Sequence, residues 1–407
     1  MKIKRYNSIG REEQLAVKKV IKNGILSDFV GSNSKKFLGG KNVQKFESQI
    51  TKYFKVKYAI TTNSWTSGLI AALGSMNIQP GDEVICTPWT MSACASSILH
   101  WNAIPVFVDI DKNTFNFNLD ILKKKITIKT KAILAVDIFG QSENVNEIKK
   151  IIKNKKIFIL SDSAQAIGAK YKGKYAGTFA DIGGYSLNCH KHINTGEGGI
   201  IVTNNKQLAE KCRLIRNHAE SVNKSTKKKD LINLVGYNFR LGEIESAIGI
   251  EQLKKLNKIV NFRKKLAFEL ISKIKDLPGI QTPFLKKNYT HIFYVIPFVL
   301  DLSKLKYNRK KIVNLLSKSG VIGLNEGYQN LHRLPMFQKK IAYGPTGFPW
   351  NKFNQRISYK KGDCKVAEDL HNKTFFYLSL CSYDFKISHM RKFAKIFKNK
   401  WKIIQKN

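Results

Sequence analysis

Between about residues 56 and 205, short apolar runs alternate with segments whose apolar positions recur at helical spacing. That alternation marks an α/β domain built on a mostly parallel sheet. The expected strands are Tyr58 to Thr61, Val84 to Thr87, Val106 to Asp109, Ala132 to Asp137 and Ile157 to Leu160. Thr66 to Met76, Ser92 to Trp101 and Val145 to Lys153 are the expected helices between them. Farther on, Leu241 to Leu256 reads as an amphipathic helix with Leu241, Ile244, Ile248 and Leu253 on one side, and Asn257 to Lys275 as a second helix. A smaller α+β domain follows, with strands at His291 to Leu300 and Gly320 to Leu324 and a helix at Ile312 to Lys318. The expected division is residues 1–260 for a large domain with an N-terminal helical segment and 261–407 for a small C-terminal domain.

Composition narrows the class. The 407 residues suffice for two domains with a large core, and 43% hydrophobic content fits a globular chain. A net charge of +42 would suggest nucleic acid, but the lysines are spread along the whole length. Runs such as Lys123-Lys124-Lys125, Lys227-Lys228-Lys229 and Lys339-Lys340 lack interleaved aromatics and read as solvated faces, so no nucleic-acid partner is expected. A basic surface would still attract an anionic substrate. The six cysteines show no CxxC pair or metal-ligand spacing, which points to a reducing cytoplasm and no metal. Met1 to Tyr6 is not followed by the apolar stretch of a signal peptide, and the longest apolar run, Ile292 to Leu300, contains Pro297 and is too short to span a bilayer.

Ligands of such sheets collect beyond the carboxyl ends of strands, where Thr66, Trp89 and Asp162 fall. Asn63-Ser64-Trp65-Thr66-Ser67-Gly68-Leu69 opens a helix with free N–H groups and small hydroxyls, which suits an anion. Trp89 offers a flat ring, and Gln165 follows Asp162 by three residues. Lys191 lies on a turn rich in glycine (Gly196, Gly198, Gly199), with Ser186 five residues before it as a phosphate ligand. A lysine on such a turn, paired with a strand-end aspartate, is what pyridoxal 5'-phosphate (PLP) requires. The amine bonds to the aldehyde, and the carboxylate keeps the pyridine nitrogen protonated. His190 and His192 flank the lysine and read first as structural.

These segments together resemble the DegT/DnrJ/StrS family of PLP-dependent sugar aminotransferases. Matching blocks run in order from Gly10-Arg11-Glu12-Glu13 and Gln44-Lys45-Phe46-Glu47 through Gly81 to Ile85, Ile104 to Asp109, Phe139-Gly140-Gln141 and Asp162 to Ala166. They continue through Lys191 to Gly199, Arg216-Asn217-His218 and Gly236 to Leu241, to Val366-Ala367-Glu368. The resemblance implies fold type I, the aspartate-aminotransferase-like PLP-dependent transferase fold, and a homodimer with active sites at the interface. It assigns Lys191 as the lysine that carries the cofactor, Asp162 to the pyridine nitrogen, Gln165 to the ring-hydroxyl side and Trp89 to stacking. Thr66, the Trp65 backbone and Ser186 would hold the phosphate, with Asn238 reaching in from a second subunit. Trp65 departs from a common Gly, and Asp137 from a common His that would bear on the substrate side.

The implied reaction moves an amino group from L-glutamate or glutamine to a keto sugar, first a nucleotide-linked 4-keto-6-deoxy sugar for cell-surface polysaccharide or lipopolysaccharide. A nucleotide-free keto or aldehyde sugar such as 8-oxo-Kdo is the second acceptor. A noncatalytic PLP-binding regulator, and a dehydratase using His190 as base, are the competing readings.

Overall fold

The computed structural model describes residues 3–221 and 231–406; the Lys227-Lys228-Lys229 run lies outside them. Seven strands share one sheet: β1 (Tyr58–Thr62), β2 (Glu83–Cys86), β3 (Ile104–Phe107), β4 (Thr130–Val136), β5 (Phe158–Asp162), β8 (Ile182–Ser186) and β9 (Gly199–Thr203). A two-stranded ribbon, β6 (Lys170–Tyr171) with β7 (Lys174–Tyr175), lies apart from it. The sheet order is β1-β9-β8-β5-β4-β2-β3, and only β9 runs against its neighbours. Both faces are covered, so β2, β3, β8 and β9 are buried at every residue and read as continuous rather than alternating runs.

Helices α1 (Arg11–Asn23) and α2 (Lys41–Phe54) precede the sheet. Then α3 (Trp65–Ser75), α4 (Ala93–His100), α5 (Leu119–Lys125), α6 (Val145–Ile151) and α7 (Lys206–Arg216) connect or follow its strands. One face of the sheet packs Ile60, Cys86, Leu134 and Ile201 under α3, α4 and α7. The expected strand Val106 to Asp109 starts earlier, at Ile104. Pro105 inside it is tolerated because β3 is the sheet edge. Asp109 falls beyond the strand and accepts from the N–H groups of Val366 (2.8 Å) and Ala367 (3.0 Å).

Instead of two helices, residues 243–274 form one, α8 (Glu243–Ile274), which runs unbroken through residue 260. Its buried face carries Ala247, Ile250, Leu253, Leu256 and Val260, whereas Ile244 and Ile248 stand half-exposed on another side. The helix packs on α1 and α2 at its start and on the C-terminal helix Ile387–Ile404 farther along.

A second sheet, ordered β10-β11-β13-β12, contains β10 (Ile280–Gln281), β11 (Ile296–Leu300), β12 (Leu324–Glu326) and β13 (Phe375–Leu378), all antiparallel. With α9 (Arg309–Lys318) and the C-terminal helix it closes on Phe298, Phe376, Phe393, Phe397 and Trp401. The strand expected from His291 begins only at Ile296. The backbone N–H groups of Ile292 and Tyr294 are taken by the carbonyls of Gly140 and Phe139 (2.9 Å each), which ties this stretch to the large domain. The strand expected from Gly320 begins at Leu324, because Gly320 still closes α9 with an N–H to the Ser317 carbonyl. Among the described residues, no helix is long and apolar enough to cross a membrane.

Candidate active site

Three strand ends and one loop build the site. Asp162 is the last residue of β5 and Ser186 the last of β8; Trp65 and Thr66 open α3 just after β1. Lys191 lies on the loop from Ser186 to Gly199 between the antiparallel strands β8 and β9. Backbone hydrogen bonds cross that loop: Leu187 N–H donates to the Gly198 carbonyl (2.8 Å), Cys189 N–H to the Gly196 carbonyl (2.9 Å) and Lys191 N–H to the Asn188 carbonyl (2.9 Å). Two glycines are demanded by geometry. Gly198 has φ 155, and a Cβ on Gly199 would meet the Ser64 carbonyl oxygen at 2.5 Å, so β9 can approach the start of α3 only without a side chain there.

The Asp162 carboxylate is buried and held on both oxygens. Oδ1 accepts from Trp65 Nε1 (2.7 Å) and the Ala164 N–H (3.0 Å), and Oδ2 accepts from Cys94 Sγ (3.1 Å). Burial, reinforced by the adjacent carboxylate, pushes the Cys94 thiol well above its usual range, so it stays protonated and donates. Ala164 is half-exposed between buried Ser163 and Gln165, leaving an open surface next to the carboxylate.

Lys191 Nζ stands 4.7 Å from the centre of the Tyr294 ring. Among the described residues no acceptor bonds its amine. Burial lowers its pKa below the ordinary lysine value, with the Asp162 charge opposing. A lysine amine whose pKa is lowered is better suited to nucleophilic attack on a carbonyl and to moving protons. His190 is exposed, whereas His192 is fully buried, and its Nδ1 accepts from Arg263 Nη1 at 2.7 Å in the interior.

Gln165 is fixed at both ends: Oε1 accepts from the Phe139 N–H (2.9 Å) and Nε2 donates to the Tyr328 hydroxyl (2.9 Å). Ser64 caps α3 by accepting from the Ser67 N–H (3.0 Å), and Ser67 Oγ donates to Asn63, so the exposed Thr66 hydroxyl is the one left facing out of that turn. Ser186 Oγ accepts from the Asn188 N–H at 3.2 Å.

Trp89 and Asp137 are placed differently from the expectation. Trp89 is fully buried, edge-on to Phe375 (5.1 Å) and tilted against Tyr328 (5.5 Å), and shows no open face to a stacked ring. The short loop after β2 turns its indole back into the core, and the side chain left open there is Met91, 66% exposed. Asn238 is exposed; its Oδ1 accepts from Arg240 Nε (2.8 Å) and its carbonyl from Asn63 Nδ2 (3.3 Å). Asp137, expected on the substrate side, is instead fully buried, accepting from Ser161 Oγ (3.2 Å), Ser163 Oγ and the Glu143 N–H (2.6 Å). Cys94, Tyr294 and Tyr328 were not expected. Their only sequence signals were position after a strand end and aromatic identity.

The donor set fits pyridoxal phosphate: an amine without a hydrogen-bond partner among the described residues, a buried carboxylate for the ring nitrogen, a half-exposed alanine for a ring face, and hydroxyls at a helix start for phosphate.

Comparison with known proteins agrees. The DegT/DnrJ/EryC1/StrS aminotransferase family matches residues 28–376. The chain is 32% identical over 306 residues to GDP-perosamine synthase of Escherichia coli O157:H7, covering 75% of this chain and 81% of that one. It is 37% identical over 308 residues to GDP-4-keto-6-deoxy-D-mannose 3-dehydratase of E. coli O55:H7, covering 71% and 79%. Among solved structures it is similar to Helicobacter pylori PseC, an aminotransferase involved in the biosynthesis of pseudoaminic acid, with a TM-score of 0.79 and 26% identity over 98% of this chain and 100% of that one.

Proposed function

This chain belongs to the DegT/DnrJ/EryC1/StrS aminotransferase family, and we propose that it transfers an amino group from L-glutamate or glutamine to the ketone of a nucleotide-linked 4-keto-6-deoxy sugar, for cell-surface polysaccharide or lipopolysaccharide. Its class, a PLP-dependent sugar aminotransferase of fold type I, follows from the family and its relatives. The nucleotide-linked acceptor is supported by the GDP-perosamine synthase likeness and by the chain's +42 charge, which favours an anionic substrate.

The observation that carries the reading is the Lys191 amine on the glycine-rich loop, 4.7 Å over the Tyr294 ring and with no hydrogen-bond acceptor among the described residues. Pyridoxal phosphate supplies the aldehyde that takes the donor's amine and the ring that spreads carbanion charge. Lys191 would hold the cofactor through its amine, and that amine, once free, would take and return the proton of the reacting carbon. Asp162 would hold the ring nitrogen, Gln165 the ring hydroxyl, and Thr66, the Trp65 N–H and Ser186 the phosphate. Asn238 serves the site of a second copy in a homodimer.

The likeness to a dehydratase makes the choice between Lys191 and His190 decisive. His190 is exposed, which supports the aminotransferase assignment. The test supplies glutamate or glutamine with a nucleotide-linked 4-keto-6-deoxy sugar and follows 2-oxo acid and amino sugar. Equal yields of the two support the reading. Loss of water from the sugar without a new amino group would overturn it.

A further inference from the structure

Resting on the cofactor reading above, we propose that Trp65 is a positioning residue, whose indole N–H acts with the Cys94 thiol to fix the Asp162 carboxylate toward the pyridine nitrogen. The chain has five tryptophans, and the others spend their N–H groups elsewhere. Trp101 donates to the Ile70 carbonyl (2.9 Å), Trp401 to the Pro278 carbonyl (2.7 Å) and Trp350 to the Tyr359 hydroxyl (2.9 Å), while Trp89 Nε1 is buried without a partner. Trp65 alone directs its N–H at a carboxylate, and that carboxylate ends a strand in the site.

The ring reaches Asp162 through a slot made by two glycines. A Cβ on Gly184 would lie 2.1 Å from Trp65 Cζ3, and one on Gly68 would lie 2.6 Å from Cε3. Gly184 is in β8, one strand over from Asp162, and Gly68 is on the first turn of α3, so sheet and helix each give up a side chain where the indole lies. Trp65 itself is 5% exposed, and its two side-chain torsions are held by this packing.

The consequence is directional. Oδ1 already carries two N–H donors, the indole and the Ala164 backbone, whereas Oδ2 carries only the weakly donating thiol. Oδ2 therefore keeps the acceptor capacity for a ring N–H, and the indole prevents the carboxylate from rotating to offer Oδ1 instead. A charge-assisted bond of 2.7 Å in a water-poor site is a strong tether. Without it the carboxylate is freer, the ring-nitrogen proton is held less firmly, and the linkage between Lys191 and the cofactor, relieved of a nearby positive charge, takes up its own proton at a higher pH.

The test reconstitutes the full chain with PLP and titrates its violet absorbance against pH in wild type, Trp65→Phe and Cys94→Ala, with PLP affinity measured alongside. Trp65→Phe keeps the ring and removes the donor. Its midpoint is expected to rise by roughly half a unit or more, and PLP affinity to fall about tenfold. Cys94→Ala is expected to move the midpoint the same way by less. An unmoved midpoint in folded Trp65→Phe, even with weaker binding, overturns the inference, because a merely structural tryptophan would not set that titration. If Trp65→Phe does not fold, an unmoved midpoint in Cys94→Ala overturns it. A wild type with no Lys191-dependent band would overturn the cofactor reading instead, so the two failures are distinguishable.

Discussion

The Lys191 amine lies over the face of the Tyr294 ring, 4.7 Å from its centre. The contact joins the two parts of the chain, because Tyr294 is carried by the stretch whose backbone bonds to Phe139 and Gly140 before β11 begins. A protonated amine is attracted to that ring face, and a neutral one is not. Tyr294 thus gives the charged form of a lysine that burial otherwise disfavours a place to rest.

Replacing Tyr294 by Leu should slow the donor half-reaction about tenfold, the loss of roughly 1 to 2 kcal/mol of cation–π attraction. Tyr294→Phe should keep most of the rate. Stopped-flow absorbance with L-glutamate separates the two, and equal rates in Leu and Phe variants would remove the ring from the account.

Below the site, Arg216 Nη1 donates to Glu47 Oε1 at 2.6 Å in the interior, and the same oxygen accepts from the Thr61 N–H (2.9 Å) and hydroxyl (3.0 Å). This pair pins the end of β1 just ahead of the α3 start. Arg216→Met strands a buried carboxylate and should cost about 3 kcal/mol, most of it recovered in the double variant with Glu47→Gln. Denaturant titration of the two singles and the double measures this.

Burial pushes the Asp137 carboxyl up to about 7, with its hydrogen bonds only partly opposing. Between the ordinary aspartate value and pH 7 the folded state therefore holds more protons than the unfolded one. Stability from this group is present at low pH and is lost as pH rises through about 7. Asp137→Asn should flatten that decline, gaining on the order of a few degrees in melting temperature over wild type at pH 8 but not at pH 4. Parallel melting curves at both pH values would contradict the burial argument.

The sequence read the parallel strands well, because β1, β2, β4 and β5 are apolar runs bounded by helical spacing. It passed over β8 and β9: Gly183 and Gly184 argue against a strand, and the reason for one of them is the Trp65 indole, a packing partner from far along the chain. Lys191, Asp162 and Gln165 were named as candidates from motif and spacing, and the structure places Asp162 at the end of β5, Gln165 just beyond it and Lys191 on the loop between β8 and β9. Trp89 was chosen as an aromatic at a strand end, but which way a side chain turns there depends on Tyr328 and Phe375, contributed by the other sheet region. Ile244 and Ile248 were assigned the wrong face of α8 for a similar reason: α1 and α2, not the local pattern alone, choose the buried side.

The central claim is that Lys191 is the reactive amine. Its most direct test is the near-ultraviolet and violet absorbance of PLP-reconstituted protein before and after L-glutamate, in wild type and Lys191→Ala. The account predicts a violet band that requires Lys191 and is lost to a near-ultraviolet band when glutamate is added, with Lys191→Ala binding PLP noncovalently and turning over nothing. The same band and the same response to glutamate in Lys191→Ala would contradict it.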